Sequence, residues 1–251
     1  MEIIDLSKLE PQETLNHTSK GNQLKWKCDG YWYKADHMGY EGLAETIVSA
    51  MLAKQLNTRV CLLGGDTISK LTLPVDRATR CIFGDAGTAT IIEAGEQNVP
   101  FSFVSYGDRA NAIIMENSRH RIKANPVNEG RLYLDGVEIM NFTLNEVPEL
   151  VFELLKSSAI DISRISLFAC HQANEMILRA LAEKLNVPSD KIPFTAGEIG
   201  NESSASIPMV LNASKEADLS NVLCCGFGMG LSAGAFIYDF TETEFYEVSE
   251  L

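Results

Sequence analysis

An α/β fold is predicted for this 251-residue chain, and three observations carry the prediction. The C-terminal third orders its apolar runs and helical patterns as β-α-β-α-β-β, which implies a mostly parallel sheet flanked by helices. An apolar run over 165–169 stops at Cys170-His171, and a helical repeat (Met176, Ile177, Ala180, Leu181, Leu185) begins at once. A glycine-rich turn, Gly226-Phe-Gly228-Met-Gly230, joins two further apolar runs. A strand-to-helix switch puts His171 at the C-terminal edge of a sheet, where open α/β folds place their ligands.

The elements follow in order. Residues 1–20 are polar and irregular. Residues 21–34 read as a hairpin: Leu24, Trp26 and Cys28 alternate with Lys25 and Lys27, Asp29-Gly30 makes the turn, and Tyr31-Trp-Tyr33 returns. A helix follows over 42–56, with Leu43, Ile47, Ala50, Met51 and Leu52 on its apolar face. Residues 60–63 form a buried strand closed by Gly64-Gly-Asp-Thr67, and 70–80 a polar loop. Four short strands are expected at 81–83, 89–92, 101–104 and 112–115, then a basic loop over 116–130. Residues 131–139 read as a second hairpin turning at Asp135-Gly136, and 145–158 as a helix. Strand 165–169, helix 173–186, helix 203–216, strand 222–225 and strand 233–238 complete the chain.

Composition narrows the function. Hydrophobic content of 45% and charged content of 22% are ordinary for a globular protein. A formal charge of −13 argues against nucleic acid as the main partner and gives no membrane-surface signal. No apolar run approaches the ~18 residues of a membrane span, and the N-terminus lacks the pattern of a signal peptide. A cytoplasmic protein is expected, with its six cysteines reduced. No cysteine pair has CxxC spacing and the four histidines are scattered, so no metal site is expected.

Three stretches carry candidate chemistry. His171 is either a structural histidine or an imidazole held neutral by the helix that follows, able to donate to an oxyanion or act as a base. Asn201 lies between Gly200 and a helical pattern. It reads as a cap or turn residue, or as an amide donor aimed at the same oxygen, with Ser203 or Ser204 capping instead. The Gly226–Gly234 stretch is either a tight bend or a set of backbone N–H groups brought close to a carbonyl. It is no dinucleotide fingerprint, because a strand follows it. The turn Phe83-Gly-Asp-Ala-Gly87 reads as structural. Arg119, Arg121, Lys123 and Arg131 form a solvated loop or a phosphate site.

Residues 59–240 resemble the β-ketoacyl-acyl carrier protein synthase III family of the thiolase superfamily. The matching stretches are VCLLGGDTISK (60–70), FGDAGTA (83–89), LYLDGV (132–137), HQAN (171–174), GNESSASIP (200–208) and GFGMGLSAG (226–234). The resemblance implies a thiolase-like layered αβαβα fold. Its C-terminal half, 126–251, is near complete. Residues 59–125 are what remains of the N-terminal half, and 1–58 are an atypical segment that truncates or replaces the rest. It implies condensation of acyl-CoA with malonyl-acyl carrier protein in fatty acid or related biosynthesis, with a CoA thioester as substrate and no cofactor. His171 and Asn201 would stabilise the thioester enolate, and Gly228 and Gly230 would form the acyl oxyanion hole. A homodimer is expected, since a shortened half leaves apolar faces to cover.

The chain departs from the family in its first third. Cys28, in CDGYWY, is similar to the family's nucleophile motif but stands too far before Val60, in a hairpin rather than at a helix N-terminus. Residues 21–56 also weakly resemble the opening of HipA-like kinases, without a catalytic loop or phosphate loop. Glu202 replaces a common threonine, and Met176 an arginine that docks the carrier protein in some members. The alternative is therefore a truncated, inactive thiolase-fold remnant or interaction protein.

Overall fold

The computed structural model describes residues 10–11, 23–28, 31–36, 41–115 and 132–249, with side chains among 46–115 (Ala78 excepted) and 132–249. Strands β1 (Glu10–Pro11), β2 (Gln23–Cys28) and β3 (Tyr31–Asp36) form an antiparallel three-stranded sheet in the order β1-β2-β3. The hairpin read from the alternation is thus present, with Cys28 paired to Tyr31. Its turn, and the basic loop expected over 116–130, lie outside the described residues.

Helix α1 (Glu41–Leu56) follows. Among its described side chains Ile47, Ser49 and Ala53 are buried and Ala50 is half-buried. Met51, expected on the apolar face, is 58% exposed instead, as is Val48 at 54%. Strand β4 (Val60–Thr67) continues through both glycines rather than closing at them. The short α2 (Arg77–Arg80) interrupts the expected polar loop. β4 then pairs antiparallel with β5 (Asp85–Ile92) along their whole length. One face of this hairpin carries Cys61, Leu63, Ala89 and Ile91 outward, with Leu63 72% and Ile91 60% exposed. Residues 81–83 do not form a strand. Phe83 makes a single parallel bridge to Asn201.

After β6 (Phe101–Ser105) a 3₁₀ turn leads into β7 (Ile113–Met115), which pairs with β8 (Leu132–Leu134). The second expected hairpin is absent. Asp135 does not turn the chain but caps α3 (Gly136–Ser157), accepting from the N–H groups of Val137 at 3.2 Å and Glu138 at 3.0 Å. An acidic N-cap followed by glycine reads locally like a hairpin turn, and the cap wins because the long apolar face behind it can be buried.

The C-terminal half has three layers. Strands β9 (Leu167–Cys170), β10 (Val222–Gly228) and β11 (Ser232–Tyr238) join β6 in the order β6-β11-β10-β9. Only β9–β10 is parallel; β10–β11 and β11–β6 are antiparallel, which corrects the mostly parallel sheet. The glycine turn between β10 and β11 is too short for the crossover that parallel pairing needs. Phe168, Cys170, Leu223, Cys225, Ala235 and Ile237 pack one face with α3 and α4 (Glu175–Leu185). Leu167, Ala169, Val222, Cys224 and Phe236 pack the other face with α1 and α5 (Ser206–Ala213). Burial on both faces is why these strands read as unbroken apolar runs.

Candidate active site

His171 follows directly on β9. Its backbone N–H donates to the Cys225 carbonyl at 2.8 Å, and its ring meets Phe227 edge-on at 5.4 Å. Both contacts hold the imidazole at the C-terminal edge of the β9–β10 pair. Burial pushes the ring pKa down to about 4, while a hydrogen bond with the Ser203 backbone pulls the other way. The expected cause was the helix dipole. Helix α4 starts only at Glu175, with Asn174 as its cap, so loss of water is the larger effect. The ring is neutral at physiological pH.

Asn201 is fixed from both sides of the molecule. Its backbone N–H donates to the Ile82 carbonyl at 2.8 Å, and its carbonyl accepts from Gly84 at 3.1 Å. Gly200 has φ +82, and a Cβ there would stand 2.7 Å from the Gly84 nitrogen, so only glycine fits between these backbones. The side-chain Oδ1 accepts from the Ser203 N–H at 2.9 Å. That pins the amide and turns Nδ2 toward His171, 3.5 Å from Nε2. At this separation the two groups converge on a shared point more than they bind each other. A carbonyl oxygen there would meet two neutral polar groups.

Gly228, the last residue of β10, lines the same cleft as His171 and Asn201. Gly230 lies in the following turn at φ +137, where a Cβ would run into the Ser232 side chain. Cys28 ends β2, with all of β3 between it and α1; its side chain lies outside the described residues. Cys170 and Cys224 are buried thiols pushed upward, Cys170 first by its hydrogen bond with Cys225 and Cys224 by burial. Both are unsuited to nucleophilic attack. Cys61 and Cys81 are exposed. Among the described residues no cluster of three or more His, Cys, Asp or Glu could hold a metal, and no helix is long and apolar enough to cross a membrane.

Two contributors escaped sequence reading. The segment 82–84 bridges to Asn201, and its one signal was a glycine: a Cβ on Gly84 would collide with the Ile199 carbonyl. Asp66 on β4 accepts from the Ser204 hydroxyl at 2.9 Å.

Glu202 is fully buried and neither carboxylate oxygen has a hydrogen-bond partner. Burial pushes its carboxyl up; its own backbone N–H and then the Ser206 hydroxyl, which donates to the Ser203 carbonyl at 2.8 Å, only partly oppose this. A raised carboxyl pKa stabilises the fold at low pH, and that stability is lost as pH rises through the ordinary carboxylate range toward the folded value. Glu202→Gln is therefore expected to be more stable than the parent by about 1–3 kcal/mol at pH 8. The gap should shrink toward pH 4, measured by urea unfolding at both pH values.

Known proteins resemble the chain in sequence and in fold. The family profile described as 3-oxoacyl-[acyl-carrier-protein (ACP)] synthase III C terminal matches residues 155–240. The profile described as 3-oxoacyl-[acyl-carrier-protein (ACP)] synthase III matches residues 43–106. The chain is similar to beta-ketoacyl-[acyl-carrier-protein] synthase III 2 of Halalkalibacterium halodurans, 30% identical over 226 residues, covering 87% of this chain and 65% of the relative. It is similar to the beta-ketoacyl-[acyl-carrier-protein] synthase III of a Synechocystis species, 30% identical over 205 residues, covering 76% and 62%. The chain thus spans a little under two thirds of these relatives' length. A crystal structure of a 3-oxoacyl-(acyl-carrier-protein) synthase III superposes with a TM-score of 0.74 at 27% identity, over 82% of this chain and 68% of that one.

Proposed function

The chain belongs to the 3-oxoacyl-[acyl-carrier-protein] synthase III family, and from that premise we propose that it is a decarboxylating condensing enzyme acting on acyl-CoA and malonyl-acyl carrier protein. The observation that carries this reading is the convergence of His171 Nε2 and Asn201 Nδ2, 3.5 Å apart. The thioester carbonyl of the malonyl group sits before both. The C–CO₂⁻ bond breaks, CO₂ leaves, and the electron pair moves onto that carbonyl as an enolate oxyanion. Neutral donors favour this charge where a carboxylate would oppose it. The enolate carbon then attacks an acyl group that a cysteine thiolate has taken from acyl-CoA. Backbone N–H groups of the Gly228–Gly230 turn hold the second oxyanion until the thiolate leaves. Cys28 is the candidate nucleophile. The CoA thioester is a substrate and no cofactor takes part.

We place this chemistry in the cytoplasm and in a homodimer. The outward Leu63 and Ile91 face of the β4–β5 hairpin supports a second copy, because an apolar sheet face of this kind is covered in a stable assembly. A second reading, a non-catalytic remnant that serves as an interaction protein, is favoured by the cysteines. Cys170 and Cys224, which border the site in sequence or in the sheet, are buried and pushed upward. Incubation with radiolabelled acetyl-CoA decides between the two. Label retained on the parent and lost in Cys28→Ala, with 3-oxoacyl product formed from malonyl-acyl carrier protein, supports the enzyme. Absence of label on any cysteine rejects condensation.

A further inference from the structure

We propose that Asp66 is a positioning residue for the enolate site, acting on Asn201 from a strand distant in sequence. The helical segment that begins at Ser203 lacks a cap of its own: Glu202 holds the N-cap position and makes no side-chain capping bond. Asp66 Oδ2, on β4, fills that role. It accepts from the Ser204 hydroxyl at 2.9 Å and lies 3.4 Å from the Ser204 N–H, which points at it. An N–H at a helix start has no partner within the helix, and a carboxylate is the strongest neighbour it can find.

The contact reaches the site in two steps. Ser204 follows Ser203, whose left-handed backbone (φ +53) is uncommon for a residue with a side chain. The Ser203 N–H is the group that pins Asn201 Oδ1 and so aims Nδ2 at His171. Fixing Ser204 therefore fixes the peptide that orients Asn201. Asp66, Ser203, Ser204, Asn201 and His171 all line one cleft. Glu202 cannot substitute, since its carboxylate oxygens are buried and unpartnered.

The inference rests on the enolate reading of the site, and its test separates the two. Decarboxylation of malonyl-CoA is measured for the full chain carrying Asp66→Ala, Asp66→Asn, Asn201→Ala or Asp66→Ala with Asn201→Ala. Asp66→Ala is expected to lower kcat about tenfold with KM little changed, the scale of a lost helix cap. Asp66→Asn, whose amide oxygen still accepts from Ser204, is expected to recover most of that loss. In the Asn201→Ala background Asp66→Ala is expected to cost nothing further, because it acts through Asn201. A tenfold loss that persists in that background, or no recovery with Asn, overturns the proposal. The side-chain amide resonances of Asn201 give a readout that needs no turnover: Asp66→Ala is expected to shift them and Asp66→Asn to leave them near the parent values. If the parent releases no CO₂, the enolate reading fails, and unshifted amide resonances then separately reject the role of Asp66.

Discussion

Replacing His171 with alanine is expected to lower decarboxylation of a malonyl thioester by about 10²–10³-fold, the usual cost of losing one donor to a developing oxyanion. Asn201→Ala should fall in the same range. Both groups meet at one point, and among the described residues Nδ2 of Asn201 approaches only His171, at 3.5 Å. The loss should appear in kcat more than in KM, because the interaction strengthens only as charge moves onto the oxygen. A steady-state assay of CO₂ release reads both parameters. The pH profile supplies a check. A neutral imidazole with its pKa near 4 predicts activity that is flat from pH 6 to 8, with no inflection near the ordinary histidine value of about 6.5. An inflection there would mean that the ring is charged in the working enzyme.

The second large effect is expected at Gly84, well outside the His171 and Asn201 motifs. A methyl group there would collide with the Ile199 carbonyl group directly. The hydrogen bond from Gly84 to the Asn201 carbonyl, 3.1 Å in the parent, cannot survive that displacement. Gly84→Ala should cost about 1–3 kcal/mol of stability, the range for overpacking a tight contact. It should also cost most of the decarboxylase activity, because the peptide that carries Asn201 must move. Gly87→Ala is the control. A Cβ at that position would have the Gly64 carbonyl 3.9 Å away and nothing nearer, so both stability and activity should stay close to the parent. Thermal melts and the same CO₂ assay check the pair.

These two predictions show which parts of the site were legible in the sequence. His171 could be read because it ends an apolar run and precedes a helical repeat, a purely local signal. Asn201 could be read once HQAN and GNESSASIP were taken together. The bridge from Ile82 and Gly84 to Asn201 was not legible, because it joins backbones far apart in the chain and leaves only a glycine behind. Asp66 was hidden for the same reason: GGDT reads as the end of a strand, while its carboxylate caps a helix across the fold. The start of α3 is ambiguous in sequence for a different reason. Asp135-Gly136 carries the chemistry of a hairpin turn and of a helix start alike, and tertiary burial of Phe142, Val147 and Val151 decides between them. The alternation of strands and helices suggests a parallel sheet, but the short glycine turn between the last two strands makes them antiparallel.

The segment before the C-terminal half bears on the chemistry as well as on the fold. The β4–β5 hairpin supplies Asp66, and the segment that leads into β5 supplies the bridge to Asn201. Under the proposed function, enolate stabilisation is separable from the supply of a nucleophile. The site that holds the oxyanion can be complete even where acyl transfer depends on Cys28.

Release of CO₂ from carbon-14 malonyl-CoA by the full chain is the most direct measurement of that claim. The arrangement of His171 and Asn201 predicts steady release above the uncatalysed rate, retained in Cys28→Ala and lost in Asn201→Ala. Release no faster than in buffer, or release that Asn201→Ala leaves unchanged, would contradict it.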